Sequence, residues 1–88
     1  MSVEVLKFSA TWCGPCRVLA QTLKDVPGIT NIDIEKDQET ARKYGIRSVP
    51  TLVFLKDGKE IHRQSGNIPL KTYQQILDEI NDSKEINN

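Results

Sequence analysis

The chain has 88 residues, enough for one domain with a modest core and too few for a second domain that binds a large cofactor. Twelve basic and twelve acidic residues balance to a net charge of zero, which favours neither nucleic acid nor another strongly charged partner. No apolar stretch approaches the length of a membrane span, and no basic segment followed by an apolar one suggests a secretory signal. We therefore expect a cytoplasmic protein with no membrane or nucleic-acid partner.

The first half of the chain predicts a strand, a helix and a second strand. Residues 3–8 alternate apolar and polar positions and are rich in strand-forming types. The apolar residues that follow take the spacing of one helix face, and Pro15 fits the first turn, where its missing N–H is not needed. Pro27 and Gly28 are expected to end this helix, and residues 29–34 supply the second strand.

The second half begins with a short helix and a buried strand. Residues 38–44 form the helix, with Asp37 as its N-cap and Gly45 just beyond its end. Residues 51–55 are almost continuously apolar, which is typical of a strand covered on both faces.

A hairpin and a long helix complete the predicted domain. The Asp57-Gly58 pair indicates a tight turn into a strand over residues 60–64, and the last helix starts near Pro69. One side of that helix is apolar: Leu70, Tyr73, Ile76, Leu77, Ile80. The predicted order is β-α-β-α-β-β-α, an α/β domain over residues 1–82 with a four-stranded mixed sheet flanked by helices, followed by a polar tail over residues 83–88.

The two cysteines carry the chemistry that the sequence predicts. Cys13 and Cys16 are the only cysteines and lie three residues apart, where the first strand gives way to a helix. This spacing and setting indicate a redox dithiol, because a disulfide that closes so small a loop constrains the unfolded chain little. At a helix N-terminus, unpaired N–H groups and the helix dipole lower the pKa of Cys13 below the free value of about 8.5. We expect Cys13 to be exposed and nucleophilic, and Cys16 to be shielded and to resolve the mixed disulfide.

Other uses of a cysteine pair are less favoured by the composition. A zinc site needs two further ligands and His62 is the only histidine, while an iron–sulfur cluster normally takes four thiolates. Two inert core cysteines do not explain the Gly14-Pro15 pair between them. No metal site is predicted.

With its dithiol placed, the chain resembles the thioredoxin family. The pentapeptide of residues 12–16 (WCGPC), the run of residues 43–51 (KYGIRSVPT), residues 56–58 (KDG) and Gly66 follow in the family's order, and the resemblance covers nearly the whole chain. It implies the thioredoxin fold in a minimal form and a cis peptide bond between Val49 and Pro50, facing the dithiol. It also implies that the Val49 backbone pairs with an extended substrate segment. The residues flanking that contact would be Trp12, Gly14, Pro15 and Gly66.

Two departures from the family pattern stand out. Only twelve residues precede Cys13, whereas the family usually has an extra strand and helix there, so the architecture is trimmed to the core that glutaredoxins share. Lys7 falls where the family usually places a buried aspartate, and Asn31 replaces the lysine that partners it. We interpret Lys7 as favouring the thiolate and making the pair less reducing, the alternative being a lysine that extends to solvent without effect.

Several other charged residues are expected to be ordinary surface groups. His62 should face solvent on the side of its strand opposite Ile61, and Arg17 and Lys59 should be unremarkable surface cations. Residues 35–37 (EKD) are expected to form a solvated loop.

The predicted function is that of a thiol–disulfide oxidoreductase that reduces protein disulfides through Cys13 and Cys16 by way of a mixed disulfide. Its partners would be disulfide-containing client proteins and a thioredoxin reductase or another thiol donor; no cofactor is needed, and a monomer is expected. One alternative is a glutaredoxin-like reductase that uses glutathione, although that class usually carries Cys-Pro-Tyr-Cys and a Gly-Gly pair before the last helix. The other is a binding subunit of a larger assembly that acts without redox turnover.

Overall fold

The computed structural model describes residues 3–86, and the side chains of residues 3–81. Four strands and three helices follow one another in the predicted order: β1 (Val3–Ser9), α1 (Gly14–Thr22), β2 (Ile29–Asp33), α2 (Gln38–Lys43), β3 (Thr51–Lys56), β4 (Lys59–Ser65) and α3 (Leu70–Ile86). The predicted polar tail begins at residue 83, and its side chains lie outside the described residues, as do residues 87 and 88 entirely. No helix in the described part of the chain is long and apolar enough to cross a membrane.

The strands form one sheet in the order β2-β1-β3-β4. β1 pairs parallel with β2 and antiparallel with β3, so the sheet is mixed, and β4 pairs antiparallel with β3. The two central strands bring the end of β1 beside the start of β3, where Phe8 lies opposite Thr51. The junction between β1 and α1, which carries Cys13, and the loop that carries Pro50 therefore meet at one end of the sheet.

Both faces of the sheet are covered, which explains the continuous apolar run of β3. All five residues from Thr51 to Leu55 are buried. On one face, β1 and β3 pack against α1, α3 and the segment before α3: Val5, Leu19, Leu23, Leu52, Phe54, Ile68, Tyr73, Ile80. On the other face the core consists of Leu6, Phe8, Ile32, Val53 and Leu55, with Tyr44 and Ile46 from the end of α2 packed on them.

Helix α1, which contains Cys16, ends earlier than predicted. α1 ends at Thr22, five residues before Pro27, and a tight turn follows. The Lys24 N–H bonds to the Gln21 carbonyl and the Val26 N–H to the Leu23 carbonyl, so bonds of shorter span satisfy the last carbonyls. The prediction that Pro27-Gly28 ends the helix was wrong; that pair instead leads into β2.

The predicted turns and caps are present. Asp57 and Gly58 both have positive φ, 53° and 86°, as a two-residue hairpin turn between β3 and β4 requires. The Asp37 carboxylate accepts the Thr40 N–H at 3.2 Å at the start of α2. Gly45, with φ 62°, follows the end of that helix, where an L residue would be strained.

Candidate active site

The cysteines lie where β1 leads into α1. Cys13 is the N-cap of α1, with an extended backbone, and Pro15 occupies the first turn. The Cys16 N–H donates a hydrogen bond to the Cys13 sulfur at 3.1 Å. The pair is joined in a disulfide with 5.2 Å between the Cα atoms. A sulfur that already accepts a helix N–H is placed to be stabilised by the same bond as a thiolate.

The two cysteines do not differ in exposure as predicted. Cys13 is 4% exposed and Cys16 is 5% exposed, so the expectation of an exposed first cysteine was wrong for the disulfide form. Both sulfurs belong to a small apolar cluster with Ala10, against which Ile34 and Val49 pack. Sequence spacing could not show this cover, because Ile34 and Val49 come from distant loops.

The loop before β3 forms the second side of the site. The Val49 carbonyl oxygen lies 3.7 Å from the Cys13 sulfur. The Val49–Pro50 peptide bond is cis, as the resemblance implies. The Gly66 N–H donates to the Pro50 carbonyl at 2.9 Å, which brings Gly66 to the same end of the sheet. Gly66 has φ 82°, and a Cβ added to it would meet no atom within 4 Å, so its outer side is open.

The residues next to the cysteines form an exposed rim. Trp12 is 64% exposed, the largest exposed fraction among the big apolar side chains of the described residues, and Gly14 and Pro15 are exposed beside it. An exposed aromatic next to a reactive centre is a surface that can contact a partner.

Glu35 contacts the candidate site, and the sequence reasoning missed it. Its carboxylate accepts the Trp12 indole Nε1–H at 3.1 Å and the Thr11 hydroxyl at 3.4 Å, so it holds the exposed indole. Residues 35–37 do form the expected exposed loop, but the contacts of Glu35 with Thr11 and Trp12 were not predicted. The parallel pairing of β1 with β2 sets Ser9 opposite Asp33, so the residues that follow the two strands meet at one end of the sheet. That pairing, once inferred, is the signal that could have identified Glu35.

Lys7 lies on the α1 side of the sheet and is buried. It is 9% exposed, and its register partners are Asn31 on β2 and Leu52 on β3. Lys7 and Cys16 both line a cleft between β1 and α1. Burial lowers the pKa of the Lys7 ammonium from its usual value, because an apolar setting disfavours the charged form.

His62 is exposed as expected, but its side chain does not project from the face of β4 opposite to that of Ile61. A β-bulge between Phe54 and Leu55 shifts the register of β3 and β4, which breaks the alternation of side chains. Both residues consequently border one cleft between β4 and α3, and the His62 ring packs 5.5 Å from the Phe54 ring. Nothing in the strand's own sequence marks the bulge.

The two remaining predicted surface cations, Arg17 and Lys59, are both exposed. Lys59 is exposed in the hairpin, and exposed Arg17 donates to the Thr11 carbonyl at 3.2 Å, bracing the loop before Cys13. Within residues 3–81, no group of three or more histidine, cysteine or acidic side chains is arranged to hold a metal ion.

The site as a whole is a cysteine pair at a strand-to-helix junction that faces an open backbone loop. This arrangement defines a protein of thiol–disulfide exchange.

Comparison with known proteins narrows this class. A model of the Thioredoxin family matches residues 2–79. Thioredoxin of Bacillus subtilis is 38% identical over 82 residues, covering 85% of this chain and 79% of that protein. Thioredoxin of Staphylococcus epidermidis is 35% identical over 83 residues, covering 86% and 80%.

Solved structures of thioredoxins have a fold similar to that of this chain. An N21Q mutant thioredoxin from Halobacterium salinarum superposes with a TM-score of 0.82 at 30% identity, covering 86% of this chain and 72% of that one. Thioredoxin of Fasciola hepatica gives a TM-score of 0.75 at 38% identity, covering 86% and 79%. The chain belongs to the thioredoxin family, and it is a protein-disulfide oxidoreductase that acts through Cys13 and Cys16.

Proposed function

We propose that Cys13 attacks the client disulfide and that Cys16 resolves the product. The observation that carries this assignment is the N-cap position of Cys13, whose sulfur accepts the Cys16 N–H at 3.1 Å. That bond and the helix dipole favour the Cys13 thiolate, which is the nucleophile in exchange. The assignment rests on helix position, because exposure does not separate the two sulfurs.

The exchange balances in two steps. The Cys13 thiolate attacks one sulfur of the client disulfide, forms a mixed disulfide and releases the other client sulfur as a thiolate. The Cys16 thiolate then attacks the Cys13 sulfur, forms the internal disulfide and releases the second client thiolate. Two electrons pass to the client, whose thiolates take protons from water, and a separate donor must return the pair to the dithiol.

The client segment is proposed to bind as an added strand along Val49. Within the described residues the Val49 N–H has no hydrogen-bond partner, and its carbonyl oxygen faces only the Cys13 sulfur, which carries no proton in the disulfide. Both backbone groups are thus available to an extended peptide lying beside the cysteines. Pro50 and Gly66 would shape one side of this groove and Trp12, Gly14 and Pro15 the other.

Glu35 is proposed to support client binding by holding Trp12. Removing the carboxylate frees the indole to adopt other rotamers, which adds an ordering cost to each binding event. In the Glu35→Ala variant we expect the KM for a disulfide-bonded client to rise about twofold to fivefold, because solvent reduces an exposed hydrogen bond to a charged group to about 0.5–1 kcal/mol. Glu39→Ala, an exposed acid in α2 away from the indole, is the matched control and should behave as wild type.

Family membership implies disulfide substrates and a reductase that recharges the dithiol. We propose that this donor is a thioredoxin reductase, that the chain works as a monomer, and that it acts in the cytoplasm, where thiol systems keep proteins reduced. A net charge of zero supports the absence of a nucleic-acid or membrane partner. The glutaredoxin-like and the purely binding readings are not favoured by the family assignment.

Single-cysteine variants test the two roles. With insulin as a model client and dithiothreitol as donor, wild type should accelerate reduction, while the double variant Cys13→Ser with Cys16→Ser should not. Cys16→Ser should accumulate a mixed disulfide on Cys13, detected by mass spectrometry, because nothing resolves it. Equal adduct yields on Cys16 in Cys13→Ser would contradict the assignment, and activity in the double variant would refute dithiol chemistry altogether.

A further inference from the structure

A cleft of about 410 Å³ opens between the end of β1 and the face of α1, behind the disulfide. Its lining residues are Lys7, Ser9, Ala10, Thr11, Cys16 and Arg17, with Ala20 at its side. Cys16 thus has a second environment, separate from the Val49 side that faces the client. Cys16 shares this cleft with the cationic side chains of Lys7 and Arg17.

Among residues 3–81, the Lys7 ammonium has no hydrogen-bond or ion-pair partner in the disulfide form. The side chain is 9% exposed, and among the described residues no hydrogen bond or ion pair forms at its nitrogen. No side-chain nitrogen or oxygen in the described part of the chain is both fully buried and unpaired, so the Lys7 nitrogen reaches water within the cleft. The buried part of Lys7 is therefore its side-chain stem, while its ammonium lies in the cleft without a paired anion among the described residues.

The neighbouring elements supply no anion to the cleft. On β2, Asn31 is uncharged, and the Asp33 carboxylate, two residues further on, accepts the Glu35 N–H at 2.8 Å and forms no ion pair with Lys7. On β3 the register partner is Leu52. On α3, Tyr73 packs against Phe54 and does not line the cleft.

Of the described residues that line the cleft, Cys16 is the one whose side chain can become an anion. α1 contributes Arg17 and Cys16 to the lining, and Arg17 is a second cation, which donates to the Thr11 carbonyl. In the disulfide the Cys16 sulfur cannot carry a charge. Reduction by two electrons and two protons gives two thiols, and loss of the Cys16 proton then places a thiolate against this cationic lining.

We propose that the Lys7 ammonium is the counter-ion of the Cys16 thiolate, a positioning residue that acts through Cys16 and makes the pair less reducing. This inference rests on the proposed role of Cys16 as the resolving residue. Lys7 keeps its proton throughout: it stabilises the thiolate that attacks the mixed disulfide and returns to an unpaired state once the internal disulfide forms. Because the ion pair exists only in the reduced protein, it shifts exchange equilibria toward the dithiol.

The test compares three variants of the full chain with wild type. Lys7→Met keeps side-chain length and removes the charge, Lys7→Arg keeps the charge, and Lys59→Met removes an exposed charge from the hairpin as the matched control. The exchange constant with glutathione is measured by trapping free thiols, and the pKa of Cys16 is followed by thiolate absorbance in a Cys13→Ser background.

The expected results are specific to the buried charge. Lys7→Met should raise the pKa of Cys16 and move the exchange constant about tenfold toward the disulfide, which equals about 30 mV. Lys7→Arg and Lys59→Met should stay within about threefold of wild type, below about 15 mV for a two-electron couple. A Lys7→Met protein with wild-type values overturns the proposal, as does an equal shift in Lys59→Met.

Two further measurements separate the possible failures. The side-chain nitrogen of Lys7, titrated by NMR in the wild-type protein, should show a higher pKa in the reduced form than in the disulfide form; this requires no variant to fold, and equal values refute the ion pair. Wild-type reduction of insulin tests the proposed function independently. An active wild type with an unshifted Lys7→Met removes only the role of Lys7, whereas an inactive wild type removes the proposed function itself.

Discussion

Leu19 attaches the helix that carries Cys16 to the sheet, and its removal should be costly. α1 has nine residues, too few to be stable as an isolated helix, so tertiary packing must hold it in place. Leu19 is 0% exposed and packs in the same cluster as Val5, Leu52 and Phe54. Val18, the preceding residue, is 56% exposed. The two positions therefore offer a buried site and a matched exposed one on the same turn.

We expect Leu19→Ala to lower the free energy of unfolding by about 3 kcal/mol, the usual loss for a fully buried leucine that leaves a cavity. The whole chain of 88 residues should be stable by about 4–13 kcal/mol, so this is a large fraction. It corresponds to a fall in Tm of about 12–24 °C for a domain of this size. Val18→Ala should change the free energy of unfolding by less than about 0.5 kcal/mol.

Urea denaturation of the oxidised proteins, followed by far-UV circular dichroism, measures both values. With an m-value of about 1–1.5 kcal/mol/M, Leu19→Ala should lower the midpoint by about 2–3 M. If the two variants have the same midpoint, α1 is not held by its apolar face and the described core on that side of the sheet is incorrect. Reduction of insulin below the unfolding midpoint should slow more in Leu19→Ala than in Val18→Ala, because the helix carries Cys16.

Three further outcomes follow from the burial, backbone and capping of single residues. Burial lowers the pKa of Lys7 in the folded disulfide form, so its positive charge destabilises the folded state fully below that pKa, and this destabilisation is relieved as the pH rises toward the unfolded value of 10.5. Lys7→Met should therefore be more stable than wild type at pH 7. In urea titrations it should lose that advantage at alkaline pH. Gly66→Ala should lower the free energy of unfolding by about 1–2 kcal/mol because of its φ of 82°, whereas Gly14→Ala, with open space around it and no positive φ, should not. Asp37→Ala should lose about 1 kcal/mol with the N-cap of α2, measured by thermal unfolding against Glu39→Ala; equal losses in that pair would refute the capping role.

The features that the sequence predicted are those fixed by local chemistry. Apolar periodicity and turn residues were sufficient for the order of all seven elements, because each pattern acts within its own element. The strand-to-helix position of Cys13 followed from the same reading. The Asp57-Gly58 hairpin was predictable because few residue pairs accept positive φ at both positions.

The features that were missed depend on contacts between distant segments. The burial of Cys13 comes from Ile34 and Val49, and the indole of Trp12 is held by Glu35 across the parallel β1–β2 pair. No periodicity reports on such contacts, so they become visible only once the strands are paired. The early end of α1 is the exception, because it is set by local bonds from Lys24 to Gln21 and from Val26 to Leu23 that no residue type in the sequence marks.

The sheet order also determines which parts of the molecule open first. β2 and β4 are edge strands with one neighbour each, whereas β1 and β3 have neighbours on both sides. Amide protons should therefore exchange fastest along the two edges and slowest along the central pair. The cysteine loop follows β1 and the Val49–Pro50 loop precedes β3, so both halves of the reactive centre are attached to the slow-exchanging strands. Either edge strand, β2 or β4, can thus detach locally while the dithiol and its facing loop stay in register.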